Sequence, residues 1–205
     1  MKNHEFTVLS SNEEPYYFLS QDRPYLESAI DCIRSETFDI YIKDFATADG
    51  EDGAVPAGQP DCKIIGTYVD GRTISTFTDY LDGCDEHSSD ILDAATNFLD
   101  LVGIQANFFL LESITHNEKV GDSLITRILQ ELPLMCYHAF YRLPGYILYY
   151  PESYAHNNQN IYDTGEPIEA DELEANLKKE MKPFLEAGYR KMADTEYYYK
   201  FDSEE

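Results

Sequence analysis

A mixed α/β chain of the α+β kind is predicted by three features of this 205-residue sequence. Hydrophobic residues make up 43%, with 17 Tyr and 11 Phe, enough apolar material for a packed core rather than a disordered chain. Segments that alternate apolar and polar residues are interleaved with segments whose apolar residues recur at helical spacing. Finally, Asn107 to Leu132 reads as an apolar run, a short polar turn with one glycine, and an immediate helix start.

Along the chain, Tyr16 to Leu19 is a candidate short strand. Pro24 to Ser35 is a candidate helix, with Pro24 in the first turn and Leu26, Ala29, Ile30 and Ile33 at helical spacing. Phe38 to Phe45 alternates as a strand does, and residues 46 to 61, rich in Gly, Pro, Asp and Ala, predict a long mobile loop. Lys63 to Val69 is a strand followed by Asp70-Gly71, a hairpin signal, and a returning strand over Arg72 to Tyr80. Ser89 or Asp90 caps a helix over Ile91 to Val102 that ends at Gly103. A strand over Asn107 to Ser113 leads to a helix over Asp122 to Leu132, closed by Pro133. Gly145 to Tyr150 is a strand ended by Pro151, and residues 152 to 170 are polar and turn-like. Glu172 to Ala187 is a helix with Pro183 as an irregularity and Gly188 as its end. Met192 to Phe201 is a final strand, and the tail 202 to 205 is expected to be disordered. No internal repeat or linker divides the chain, so one domain over 1 to 205 is expected.

The formal charge of −24 disfavours binding to nucleic-acid backbones and anionic membranes and favours basic partners. No apolar run approaches the roughly 20 residues of a membrane span. The N-terminal MKNHEFTVLSSNEEP has no basic region followed by an apolar stretch, so a soluble cytoplasmic protein is expected. Cys32, Cys62, Cys84 and Cys136 form no C-x-x-C pair, which predicts reduced thiols and no zinc site. Asp82, Asp85, Glu86 and His87 form an acidic loop cluster without metal-ligand spacing on one helix.

The strand, turn and helix start around Gly121 make a place where backbone N–H groups converge on an anion, with about half a positive charge from the helix dipole. This segment, LESITHNEKVGDSLI (Leu111 to Ile125), resembles the cofactor motif of the GNAT superfamily of N-acyltransferases. Leu111 falls on its hydrophobic position and His116 on its Arg or Gln position. Lys119 and Gly121 fall on its two glycines, and Leu124 and Ile125 on the leucines of its helix. PFLEAGYRKMADTEYYY, Pro183 to Tyr199, is similar to the family's closing pattern, and LDGCDEHSSDILDAATNFLD resembles a helix entry found in some GNAT-like proteins. The resemblance covers about Lys63 to Phe201; residues 1 to 60 match only in the order of elements.

The resemblance implies a GNAT-like mixed sheet, flanked by helices and splayed between strands 4 and 5, with acetyl-coenzyme A in the notch. Leu111, His116, Lys119, Val120, Gly121, Asp122 and Ser123 would be its cofactor-binding residues, with backbone donors from Val120, Gly121 and Asp122. Lys119 replaces a glycine and can contact phosphate directly, whereas Asp122 adds a negative charge beside the anion.

Acyl transfer to an amine calls for a base and, for the leaving thiolate, an acid. Glu112, at the end of the notch strand, is the candidate base. The family's usual acid, a tyrosine on the last helix, corresponds to Phe184, leaving Tyr189 as the nearby candidate; Tyr149 and Tyr150 suit packing. The leading expectation is therefore an acyl-coenzyme A-dependent N-acetyltransferase acting on a small-molecule or peptide amine, with a cationic acceptor favoured by the acidic surface. The alternatives are a catalytically degenerate GNAT-like binding or regulatory protein, and an acidic decoy of nucleic-acid-binding surfaces.

Overall fold

The computed structural model describes residues 5–11, 33–43, 58–69, 94, 107–140 and 143–201. Strands β1 (Glu5–Ser11), β2 (Ile33–Lys43), β3 (Cys62–Val69), β4 (Phe108–His116), β5 (Tyr146–Tyr149), β6 (Arg190–Lys191) and β7 (Tyr198–Phe201) form one mixed sheet. Its order is β1-β2-β3-β4-β5-β7-β6. Every neighbouring pair is antiparallel except β4 and β5. Helix α1 (Asp122–Phe140) makes the crossover that a parallel step requires, and helices α2 (Glu152–Thr164) and α3 (Ala170–Glu186) follow β5. A mixed α+β architecture is thus observed, with a single sheet joining strands from both ends of the described chain.

The core lies where α1 and α3 cover the sheet. Phe140 of α1 stacks on Tyr68 of β3, ring centroids 4.5 Å apart, and Phe38 and Phe109 close the cluster from β2 and β4. Phe184 of α3 stacks on Tyr149 of β5 at 4.3 Å and meets Tyr189 edge-on at 5.2 Å. Such ring pairs contribute about 0.5–1.5 kcal/mol beyond the area they bury. The end of α3 is well determined: Gly188, at φ 97°, donates to Leu185 O, and Tyr189 N donates to Phe184 O. Those two bonds and the Phe184–Tyr189 contact make a Schellman stop, which requires the left-handed conformation that glycine adopts without strain.

Four elements differ from the sequence expectation. Ile33 to Ser35, expected at the end of a helix, open β2 and pair with Thr67 to Val69. Pro133 does not close α1, which continues to Phe140. A proline inside a helix removes the bond to the carbonyl four residues earlier, here Leu129. The Lys200 Nζ donates to that carbonyl at 3.2 Å and to Gln130 O at 3.4 Å, so the freed acceptor is satisfied from β7. Residues 152 to 164, expected as turns, are α2. Met192 to Tyr197 are not strand but the connection between β6 and β7, closed by Met192 N donating to Tyr197 O at 2.9 Å, with Asp194 at φ 59°.

Both edges of β3 are taken along its length, by β2 and β4. The strands expected over 16–19 and 72–80, the helix residues 24–32, most of the loop 46–61, the acidic cluster 82–87 and the tail lie outside the described residues. Of the helix expected over 91–102 only Ala94 is described, and it is helical.

Candidate functional site

The pairing of β4 changes character at one residue. Phe108 to Leu111 pair with β3 on one side and with Tyr146 to Tyr149 of β5 on the other. Beyond Leu111, β4 continues to His116 with β3 alone, because β5 ends at Tyr149 and Pro151 opens α2. The register with β3 skips here as well: Leu111 faces Gly66 and Ser113 faces Ile65, so Glu112 is the extra residue of a β-bulge. Bulges bend a strand, re-aim a side chain and end pairing, and they recur beside active sites. Gly66 makes the bulge possible. A Cβ at that position would lie 2.3 Å from Leu110 O and 2.5 Å from the Phe109 ring, closer than any side chain allows.

Glu112 is exposed, and Thr67 Oγ1 donates to its Oε1 at 2.6 Å. Ser35 Oγ lies 3.1 Å from Thr67 Oγ1. The Thr67 side chain carries one hydrogen, already given to Glu112, so the Ser35 hydroxyl is the donor in the second bond.

The turn after β4 is held by Asp61 and Asn117. Asp61 Oδ2 accepts from Ile42 N at 2.9 Å and Oδ1 from Asn117 Nδ2 at 2.8 Å, while Asn117 N donates to Asp61 O at 2.9 Å. Asn117 then accepts from the amides two and three residues on, Lys119 N on Oδ1 at 2.9 Å and Val120 N on its carbonyl at 3.1 Å. An Asn side chain commonly organises its own following turn in this way. Gly121 occupies the N-cap of α1, its carbonyl accepting from Leu124 N and Ile125 N. A Cβ on Gly121 would meet nothing within 4 Å, and the residue is exposed.

The expected cofactor residues therefore divide. The amides of Gly121 and Ser123 have no acceptor among the described residues, while Asp122 N leans on its own carboxylate. The expected donor Val120 is corrected: its N–H is spent inside the turn and its side chain is buried, 3% exposed. Leu111 is likewise core, 2% exposed, with both strand edges paired. His116 is exposed at the end of β4, its Nδ1 3.2 Å from Asn117 O. Lys119 is exposed, its Nζ 3.9 Å from Asp61 Oδ1. Asp122 does not stand alone at the helix start, because Lys182 Nζ of α3 lies 2.8 Å from its Oδ2. That hydrogen bond and charge hold the Asp122 carboxyl below its usual range and raise Lys182 above its own.

The candidate acid is corrected too. Tyr189 is 2% exposed, sealed against Phe184, and its hydroxyl is buried with no partner among the described residues. Burial pushes its pKa up, and a group without solvent access has no route to a leaving thiolate in the notch. The Tyr149 hydroxyl donates to Glu180 Oε1 at 2.7 Å and the Tyr150 hydroxyl to Glu196 Oε2 at 2.6 Å; burial and those carboxylates raise both phenols. Glu180 also accepts from Glu152 N at 2.7 Å, from Ser153 N at 3.0 Å and from the Ser153 hydroxyl, so a carboxylate of α3 occupies the N-terminus of α2. Burial, with help from Asp61, pushes the Cys62 thiol up to about 12, and burial raises Cys136 as well, so neither is a nucleophile at neutral pH.

Sequence reasoning missed Gly66, Thr67, Asp61, Asn117 and Lys182. Only Gly66 carried a local signal, a glycine inside the strand pattern KIIGTYV, which marks a bulge or close backbone approach. Among the described residues no helix is long and apolar enough to cross a membrane, and no group of three or more His, Cys, Asp or Glu converges on a metal position. Comparison with protein-family models and with curated proteins finds no match to this chain.

Proposed function

We propose that this protein is an acyl-coenzyme A-dependent N-acetyltransferase of the GNAT-like kind, acting on an amine. The observation that carries the reading is the departure of β4 from β5 at the Glu112 bulge. It leaves the edge of residues 112 to 116 unpaired by β5 beside the open start of α1. A crevice at the carboxyl ends of parallel strands, next to a helix N-terminus, is where α/β sheets bind ligands. The residues present suit a diphosphate there. Gly121 and Ser123 would donate amides, Lys119 would supply an exposed cation, and Lys182 offsets the charge of Asp122. The backbone of residues 112 to 116 would take the extended arm as an added strand edge.

Bound there, acetyl-coenzyme A would supply a thioester whose acyl carbon takes the amine's electron pair as the C–S bond breaks and the sulfur leaves as thiolate. Glu112 would accept the proton shed by the amine nitrogen, directly or through a water. A dedicated acid is dispensable, since a thiol of ordinary pKa about 8.5 is a fair leaving group and takes its proton from solvent. The net charge of −24 would draw cationic acceptors toward the surface.

A second reading, a GNAT-like binding protein without catalysis, is favoured by the burial of Tyr189 and by Phe184 in place of a tyrosine. Thiol release from acetyl-coenzyme A with a panel of polyamines and basic peptides separates the two. Catalysis predicts release that falls about 100-fold or more in Glu112→Gln, the scale of a lost general base. Cofactor binding without release for any amine would favour the second reading.

A further inference from the structure

A row of hydrogen-bonded side chains crosses three strands: Ser35 on β2, Thr67 on β3 and Glu112 on β4. Thr67 is 8% exposed, among the few buried polar side chains of the core region. A buried hydroxyl needs partners, and this one has a carboxylate on one side and a hydroxyl on the other. Ser35 and Thr67 are directly paired across β2 and β3, so their bond follows from register. Thr67 and Glu112 are not in register: the Thr67 partner on β4 is Leu110. The bulge brings the carboxylate within 2.6 Å of the hydroxyl, which ties the re-aimed side chain to the sheet.

We infer that Thr67 is a positioning residue for Glu112, with Ser35 as its support. The inference rests on the acyl-transfer reading above. Thr67 gives its only hydrogen to Oε1, which fixes the carboxylate's rotation on a strand that has lost one neighbour. Oε2 has no partner among the described residues and is left to face the acceptor amine. Ser35 donates to Thr67 Oγ1 and so keeps that hydroxyl turned toward Glu112. The arrangement presents one acceptor oxygen and no donor, which selects acceptors that bring a proton: a primary or secondary amine in place of a carboxylate or phosphate.

The test is steady-state kinetics of thiol release on the full chain with wild type, Thr67→Val, Thr67→Ser, Ser35→Ala and Glu112→Gln, alongside calorimetric titration of acetyl-coenzyme A. Valine keeps the shape of threonine and removes the hydroxyl. The expected result is a kcat about 10-fold lower in Thr67→Val, with acetyl-coenzyme A affinity unchanged within about 2-fold and near-full recovery in Thr67→Ser. Ser35→Ala should lower kcat about 2- to 3-fold, and it serves as the second reading of the row if Thr67→Val does not fold. In Glu112→Gln the Thr67→Val change should have no further effect, because a residue that acts through another loses its role with it. A kcat in Thr67→Val and Ser35→Ala equal to wild type would overturn the positioning role while leaving acyl transfer standing. A wild-type chain that binds no acetyl-coenzyme A and releases no thiol would overturn both.

Discussion

Helices α1 and α2 both begin where a strand of the parallel step has ended, yet their starts are filled from within to different degrees. At α2 the Glu180 carboxylate accepts two backbone amides, the Ser153 hydroxyl and the Tyr149 phenol. At α1 the amides of Gly121 and Ser123 meet no acceptor among the described residues, and the Asp122 carboxylate between them is held by Lys182 as well as by its own amide. The partial positive charge is the same kind in both places. A side-chain anion at α2 makes that start structural. At α1 the only side-chain anion among the described residues is Asp122, shared with Lys182, and on the proposed reading the two amides beside it are the ones that would take an anion from outside.

The largest expected effect comes from emptying the filled start. Glu180→Ala removes charge-assisted bonds to two amides and two hydroxyls and should cost about 2–4 kcal/mol, roughly 5–12 °C in Tm, read by calorimetry. No change in Tm would erase the contrast between the two helix starts. Next is Gly66→Ala, which places a Cβ against Leu110 O, backbone that cannot step aside. A loss of about 1–3 kcal/mol is expected, and on the proposed reading impaired acetyl-coenzyme A binding with it, because the bulge that carries Glu112 is forced to rearrange. Lys200→Met should cost about 1 kcal/mol by stripping Leu129 of the donor that replaces the one lost at Pro133.

The smallest effect has the opposite sign. Glu152 is raised by burial and by the Glu180 charge, so its ionised form works against the fold. A group whose folded pKa lies above its unfolded value destabilises while ionised, and the penalty fades as pH falls through that raised value. Glu152→Gln should therefore raise Tm slightly at pH 7, and the gain should shrink as pH drops through the carboxylate range. The Asp122–Lys182 pair runs the usual way. The Asp122 contribution is present above its ordinary pKa and lost as pH falls through its lowered one, and that of Lys182 is lost only as pH rises through its raised one.

What was legible in the sequence was local. The strand read over Lys63 to Val69 and the apolar run Phe108 to Leu111 place β3 and β4 to within a few residues, and Gly121 followed by Asp122 marks the start of α1. Gly188 gave the end of α3 because a left-handed stop is written in one residue. The failures share a cause, in that the deciding partner is far along the chain. Helix α2 looks like turns because its sequence is polar, and its start is held by a carboxylate 27 residues away in α3. Pro133 reads as a stop because the lysine that satisfies Leu129 is 71 residues on. The turn that presents the α1 amides depends on Asp61, 56 residues from Asn117. At the site, sequence alone marks the start of α1, but not which of its amides remain available. Spacing points to Val120 as a donor and to Tyr189 as an acid, because neither turn closure nor burial can be read from it.

Titration calorimetry of acetyl-coenzyme A into the wild-type chain and Gly121→Glu tests the central claim most directly. A Cβ at Gly121 meets nothing within 4 Å and the residue is exposed, so the variant should fold with a Tm near that of wild type, and its carboxylate is expected to compete with an anion at the α1 amides. The account predicts saturable binding to wild type and its loss in the variant. Binding unchanged in Gly121→Glu, or no binding to wild type at millimolar cofactor, would contradict it.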